Sequence, residues 1–271
     1  SIIVSQSHYT NEILSRFSPG SPLTIPLHPS TKIHSLPTSD TPSPQYRELV
    51  GALQYLQIAT RPDIAYSTGV LARYLHNSSP SHLTQATNIL RYLKSTPDLA
   101  LRFRRSSDSN TIQITAYCDA DWARDRSSGR STTSYLIFVN GNLVSWKSRL
   151  QRTVALSTCE AEYMALSDCA QEVTYIYNVI QTILTSHTNI STPAIFTDNL
   201  PAIQLATNNT STFTRTRHIN VRHHYIKSLV SSSQITLHHC RSDTNLADFN
   251  SKPLARPAFE KFRNKLLFRS S

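Results

Sequence analysis

Near residue 99 the spacing of apolar residues changes from a helical repeat to strict alternation, and this change fixes the class of fold open to the chain. Upstream lie three helical stripes, near 45–59 with Leu49, Leu53 and Leu56, near 63–76 with Ile64, Thr68, Leu71 and Leu75, and near 81–95 with Leu83, Ala86, Leu90 and Leu93. Pro62 and Pro80 stand where new helices would start, and Asp63 and Ser81 suit a first turn or a cap. Downstream, alternation predicts strands near 99–104, 112–119, 132–140 and 143–148, with a polar break at 106–110 and a hairpin turn at Asn140-Gly141. A long helix over 159–186 follows, then a strand at 194–198, helices near 200–207 and 218–231, a strand at 234–240 and helices after 245. Antiparallel strands followed by alternating helices and strands predict an α/β fold with a mixed sheet.

Residues 18–45 carry Pro19, Pro22, Pro26, Pro29, Pro37, Pro42 and Pro44 among Ser and Thr, which predicts an extended linker or surface strap. At 271 residues with 39% apolar content the chain can bury a true core. Its 27 Lys and Arg against 17 Asp and Glu leave a net charge of +10, which favours a polyanionic partner through phosphate neutralisation. The four cysteines form no Cys-x-x-Cys pair and lie in apolar or mixed segments, as free thiols of a reducing compartment do. No run reaches the ~18 apolar residues of a membrane span, and no leader opens the chain. These features predict an intracellular, non-secreted protein with no membrane partner. The opening Ser1-Ile-Ile-Val, without Met, is that of a piece of something longer.

Four acids stand at the ends of successive elements. Asp119 closes the alternating run from Ile112, Glu162 lies early in the long helix, Asp198 ends the run from Ala194, and Asp248 sits where a turn feeds the last helices. Converging carboxylates can hold two divalent ions about 3.5–4 Å apart for phosphodiester chemistry, and magnesium is the oxygen-seeking ion they suit. Taken singly, each acid is equally well a solvated residue or a helix cap. Taken together they are harder to explain away, since only 17 residues of 271 are acidic. A second cluster, Arg215, Arg217, His218, Arg222, His223 and Lys227, predicts a basic helix face that reaches phosphates.

The words around these acids resemble a known family. Tyr117-Cys-Asp119-Ala-Asp-Trp122, Ser157-Thr-Cys-Glu160-Ala-Glu162-Tyr-Met-Ala, Thr197-Asp198-Asn199, Arg217-His218-Ile and Leu246-Ala-Asp248 with Lys252-Pro253-Leu254 are similar, in order and spacing, to the ribonuclease H domain of Ty1/copia-type retrotransposon Pol polyproteins. Tyr46-Arg-Glu-Leu-Val-Gly51, Thr60-Arg-Pro-Asp63 and Leu90-Arg-Tyr-Leu-Lys94 resemble the tail of the reverse transcriptase of the same polyprotein.

The resemblance implies a ribonuclease H-like mixed five-stranded sheet with flanking helices over 105–271, a helical thumb- or connection-like unit over 46–104, and an extended reverse transcriptase tail over 1–45. It implies hydrolysis of the RNA strand of RNA–DNA hybrids by two Mg²⁺ ions, with Mn²⁺ as a substitute, held by Asp119, Glu162, Asp198 and Asp248. Glu162 rather than Glu160 matches the position before Tyr163-Met-Ala, which leaves Glu160 as a capping acid. Asp121 is expected in a loop after the strand, because Trp122 marks the strand's end. His238 and His239 are expected as strand residues, with a product-release role as the alternative. The aromatics Trp122, Trp146, Tyr117, Tyr135 and Phe138 read as core before base-stacking surfaces.

No Tyr-x-Asp-Asp pair occurs, so the polymerase centre is expected upstream, in the palm and fingers of the same polyprotein. The chain departs from the family at Arg124 and Ser134, where Gly is usual, at Asn220, where Asp is usual, and at Phe249-Asn-Ser251, where Ile-Leu-Thr is usual. These changes spare all four acids and leave a catalytically degenerate, nucleic-acid-binding remnant as the alternative function. An integrase or transposase needs a Glu where position 234 is Gln.

Overall fold

The computed structural model describes residues 1–41, 43–106, 110–184, 189–207 and 217–269, with backbone only for 217–220. Its elements in chain order are β1 (Ile2–Val4), α1 (Ser7–Phe17), α2 (Pro44–Ala59), α3 (Ala65–Ala72), α4 (Pro80–Lys94), β2 (Leu99–Phe103), β3 (Thr111–Ile112) and β4 (Ile114–Asp125). There follow β5 (Arg130–Val139), β6 (Asn142–Leu150), α5 (Thr158–Ile183), β7 (Asn189–Ile190), β8 (Ala194–Thr197), α6 (Leu200–Thr207), α7 (Arg217–Ser231), β9 (Thr236–His239), α8 (Asp248–Ser251), α9 (Arg256–Leu266) and β10 (Phe268–Arg269). Two compact units result, Ser1–Phe103 with Lys252–Ser271, and Arg104–Ser251.

In the first unit, α2, α3 and α4 bury most of the stripes that sequence marked, with Leu49, Leu53, Leu56, Leu71, Leu90 and Leu93 in the core, while Leu83 is half-buried and Leu75, also half-buried, lies beyond α3, which ends at Ala72. The local punctuation is as expected: Ser81 lies in the first turn of α4 and Asp63 in that of a 3₁₀ helix, where it is half of a buried ion pair with Arg61. The cap of α4 is Ser79, and its partner in the capping box is His82: the Ser79 amide donates to His82 Nδ1 at 3.2 Å.

Residues 1–45 are not extended throughout. Tyr9, Ile13, Leu14 and Phe17 recur at helical spacing in a stretch free of proline, and α1 forms there, burying Ile13. Beyond Pro19 the chain is a strap along α4, held where the Leu23 amide donates to the Arg91 carbonyl at 3.0 Å and Ser95 Oγ donates to the Leu23 carbonyl at 2.6 Å. Residues 252–271, grouped by sequence with 105–251, fold with the first unit instead. β10 pairs antiparallel with β2, and Phe259 meets Tyr92 edge to face at 5.6 Å, so the α9 segment finds its apolar partners on α4 and β2.

The second unit is built on a mixed five-stranded sheet of order β6-β5-β4-β8-β9, antiparallel across β6, β5 and β4 and parallel across β4, β8 and β9. The helices α5, α6 and α7 are packed together, and α5 lies against β4 and β5. The ribonuclease H-like arrangement expected from sequence is thus present. Asn140 and Gly141 both take positive φ, 49° and 73°, the pair of left-handed residues a tight hairpin needs. One face of the sheet buries Ile114, Ala116, Cys118, Tyr135, Ile137 and Ile195 against Tyr163, Leu166, Cys169, Ala170 and Val173 of α5. The polar break expected at 106–110 lies mostly outside the described residues.

Candidate metal centre

The geometry of this centre follows from strand alternation. Tyr117 on β4 pairs with Phe196 on β8, and Phe196 pairs with His238 on β9, all in parallel register. The three rings share one face of the sheet: Tyr117 stacks on Phe196 at 5.3 Å and Phe196 on His238 at 5.1 Å. Two residues further on, and therefore on that same face, come Asp119, Asp198 and Cys240. The ladder continues past the strand ends, since the Cys240 amide donates to the Thr197 carbonyl at 3.0 Å.

Glu162 arrives from the start of α5. Ser157 caps that helix by accepting from the Glu160 amide at 3.1 Å, and Glu160 reaches back to accept from the Leu156 amide at 2.8 Å. Glu160 is therefore the capping acid. Two residues on, Glu162 turns to the sheet end, where oxygens of Asp119, Glu162 and Asp198 lie within 4.8 Å of one another.

Electrostatics set this cluster apart. Glu162 is 8% exposed, and its Oε2 has no hydrogen-bond partner. Burial, and then the nearby Asp119, Cys118 and Asp198, hold its carboxyl well above the usual carboxylate range, opposed by the Ala120 amide. Cys240 feels the same field: burial first, then Asp198, Cys118, Asp119 and Asp248, push its thiol up to about 12. Three hard oxygen donors, Asp119 and Glu162 among them buried, fit a divalent cation.

Asp248 occupies the first turn of α8 and is buried. It is outside the trio whose oxygens meet, although its charge reaches the Cys240 thiol. Asp121 corrects the sequence expectation. β4 runs on to Asp125, so Asp121 is a strand residue paired with Thr132 on the Asp119 face, 3.6 Å from Arg124 Nε. The strand continues because a register shift between Asp121 and Asp125 absorbs the local kink, with Ala123, not Arg124, at positive φ of 49°.

The basic helix face is divided by its surroundings. Arg215 lies outside the described residues, and Arg217 and His218 lie in α7. Arg222 is tied inward, donating to the Met164 carbonyl at 3.1 Å and to Asp168 at 2.9 Å. His223 is buried, with Nε2 3.0 Å from the Leu205 carbonyl, so it faces the core and not a polyanion. Lys227 is half-buried. His238 and His239 are exposed residues of β9. Of the aromatics, Tyr135 is core, whereas Trp122 is 45% exposed with its indole N–H donating to the Ala155 carbonyl at 3.0 Å.

Several supporting residues escape sequence reading. Buried Asn245 donates from Nδ2 to the Cys118 carbonyl at 3.1 Å and accepts from the Ala247 amide, which ties the strand before Asp119 to the turn before Asp248. Ser134 Oγ donates to the Ala247 carbonyl at 2.7 Å, giving the serine that replaces the usual glycine a bond to that turn. Ser242 Oγ donates to Asp198 Oδ2 at 2.6 Å and fixes its carboxylate plane. Ser134 is marked in sequence only by replacing the family's glycine, and Asn245 and Ser242 only by lying shortly before Asp248.

Fold and site together define a ribonuclease H-like α/β domain with an acidic centre at the carboxyl ends of its parallel strands. No family model matches the chain. It is 34% identical over 97% of its length to the Pol polyprotein of transposon RE1 from Arabidopsis thaliana, and 33% identical over 95% to that of transposon TNT 1-94 from Nicotiana tabacum. It spans 18% and 19% of those polyproteins. A secreted RxLR effector protein 161 from Plasmopara viticola is 47% identical over 48% of this chain and 90% of its own. Among solved structures, LC11-RNase H1 in complex with an RNA/DNA hybrid covers 51% of this chain and 92% of its own at 12% identity, with a TM-score of 0.36. The chain is homologous to one segment of the Pol polyproteins of copia-type retrotransposons. Among the described residues no helix is long and apolar enough to cross a membrane.

Proposed function

We propose that the chain is a retrotransposon ribonuclease H that hydrolyses the RNA strand of RNA–DNA hybrids during reverse transcription inside the cell, as a segment without the polymerase centre. The observation that carries this reading is the meeting of Asp119, Glu162 and Asp198 within 4.8 Å, in a chain homologous to retrotransposon Pol. These three residues would hold Mg²⁺, with Mn²⁺ as a substitute, and Asp248 would complete the shell from α8. A pair of such ions, when bound, supplies an activated water and neutralises the departing oxygen of the phosphodiester.

The chain's own groups position this chemistry. Ser242 orients Asp198, the Ala120 amide orients Glu162, and Asn245 links the Asp119 strand to the Asp248 turn. The basic end of α7, with Arg217 and His218, and Lys227 further along, would meet the phosphates of the hybrid, while buried His223 and ion-paired Arg222 hold the helix in place. The upstream palm and fingers of the same polyprotein are the proposed partner in the chain. Cleavage of a labelled hybrid in Mg²⁺ against EDTA, by wild type and Asp119→Asn, tests the reading. Soluble wild-type protein that fails to cut in Mg²⁺ would sink it.

One feature favours a second reading, a binding remnant without turnover. Asn250 is fully buried beside Asp248, and neither Nδ2 nor Oδ1 of its amide has a hydrogen-bond partner, which weakens the turn that carries the fourth acid. Equal hybrid affinity in wild type and Asp198→Asn, with no turnover in either, would establish it.

A further inference from the structure

We propose that Cys240 makes the acidic centre a binding site for thiophilic divalent cations, of the Zn²⁺ and Cd²⁺ class, held by its sulfur together with Asp198 and the neighbouring carboxylates. The inference rests on reading the trio as a cation centre and adds a soft ligand to it. Alternation puts Cys240 on the sheet face of Asp119 and Asp198, one strand beyond Asp198, and its amide continues the β8–β9 ladder. Strand alternation sets its side chain on the carboxylate face of the sheet, opposite to the face that buries Cys118 against α5. A separate observation points to a ligand: the Oε2 of Glu162, a side chain more than nine-tenths buried, is directed at Asp119 and Asp198 with no hydrogen-bond partner.

The dimensions suit such an ion. The thiol lies outside the trio that meets within 4.8 Å. Neighbouring strands are about 4.8 Å apart, and tetrahedral zinc with a ~2.3 Å Zn–S bond and a ~2.1 Å Zn–O bond takes donors about 3.6 Å apart, so a cation held by both would draw the Cys240 and Asp198 side chains slightly together. Magnesium takes oxygen ligands and leaves the sulfur unused, whereas zinc and cadmium take both. On binding, the Cys240 Sγ–H bond breaks, its proton passes to solvent, and the sulfur lone pair forms the bond to the metal. Cys118 and Cys169 are buried free thiols, with Cys118 Sγ donating to the Phe196 carbonyl at 3.7 Å, and half-buried Cys159 on α5 serves as the accessible control.

The whole chain is titrated with Cd²⁺ while the ultraviolet thiolate-to-cadmium charge-transfer absorption is followed, with circular dichroism to confirm the fold of each variant. Wild type and Cys159→Ser should both develop the band. Cys240→Ser should lose it, and Asp198→Asn should weaken cadmium binding by on the order of tenfold or more, at least the loss expected of an outer-shell ligand partner. A band that persists in Cys240→Ser, or one unmoved by Asp198→Asn, overturns the proposal. Mg²⁺-dependent hybrid cleavage by wild type is measured beside it. Cleavage without the cadmium band sinks the thiol site alone, and the band without cleavage sinks the nuclease reading alone.

Discussion

Arg61 and Asp63 form a buried two-pronged ion pair, with Nε donating to Oδ1 at 2.9 Å and Nη2 donating to Oδ2 at 2.7 Å. Arg61 spends its remaining donors on the Thr96 carbonyl and hydroxyl, and Tyr92 donates its hydroxyl to Asp63 at 2.6 Å. The network ties the turn before α3 to the end of α4. Removing one partner leaves a charge buried without compensation, the costly way to break such a pair. Asp63→Asn should therefore destabilise the first unit by about 3–5 kcal/mol, read as a lower urea midpoint. An unchanged midpoint would show that Thr96 alone satisfies the guanidinium.

His82 is the pH-sensitive cap of α4. Burial lowers its affinity for a proton below the ordinary imidazole value of 6.5, and Nδ1 must stay unprotonated to accept from the Ser79 amide. The unfolded chain takes up the proton first, so this contribution is complete above 6.5 and diminishes as pH falls through that value toward the lowered folded one. His82→Gln keeps a capping acceptor without a titrating group. Its melting temperature should vary less than that of wild type between about pH 7 and 5. Parallel curves would refute the assignment.

The elements that sequence located well are those whose own residues carry the signal. The stripes of α2 and α4, the span of β5 and the Asn140-Gly141 turn depend on neighbours close in the chain, and they appear where expected. What sequence could not place depends on distant partners. Residues 252–271 leave the segment they adjoin because β10 finds its ladder on β2, more than a hundred and fifty positions earlier, a pairing no local pattern encodes. The same holds at the centre. Asp198 is legible as a strand-end acid, and Asp119 is legible as an acid of its strand though that strand runs on to Asp125, but the role of Cys240 depends on the β8–β9 register, and that of Asn245 on a bond to Cys118. His223 misled because charge type was visible in sequence and facing was not.

The repulsion within the trio predicts opposite effects with and without metal. In EDTA, Asp119→Asn removes one of the like charges acting on Glu162 and should raise the melting temperature by a few degrees, about 2–4 °C per kcal/mol in a domain of this size. On adding Mg²⁺ to about 100 times its Kd, wild type should gain about 2.7 kcal/mol, and Asp119→Asn should gain little. Scanning calorimetry of both proteins in EDTA and in Mg²⁺ gives the four values. A variant less stable than wild type in EDTA would show that Asp119 is held by hydrogen bonds and not strained by its neighbours.

Asn250 offers the reverse case, a substitution that should strengthen the protein. Its amide is fully buried in α8 with neither polar atom bonded, next to the acid whose placement that short helix sets. An unsatisfied buried polar group costs about 1–3 kcal/mol, and an apolar side chain with the same number and branching of heavy atoms removes that cost without opening a cavity. Leucine differs from asparagine mainly in exchanging the amide for methyl groups. Asn250→Leu should raise the melting temperature by several degrees, at about 2–4 °C per kcal/mol. If the loosened turn also limits Asp248, Mg²⁺-dependent hybrid cleavage should rise with stability. A stability gain without a rise in cleavage would place Asp248 outside the rate-limiting geometry, and a loss of stability would mean that the amide has a partner within the folded protein.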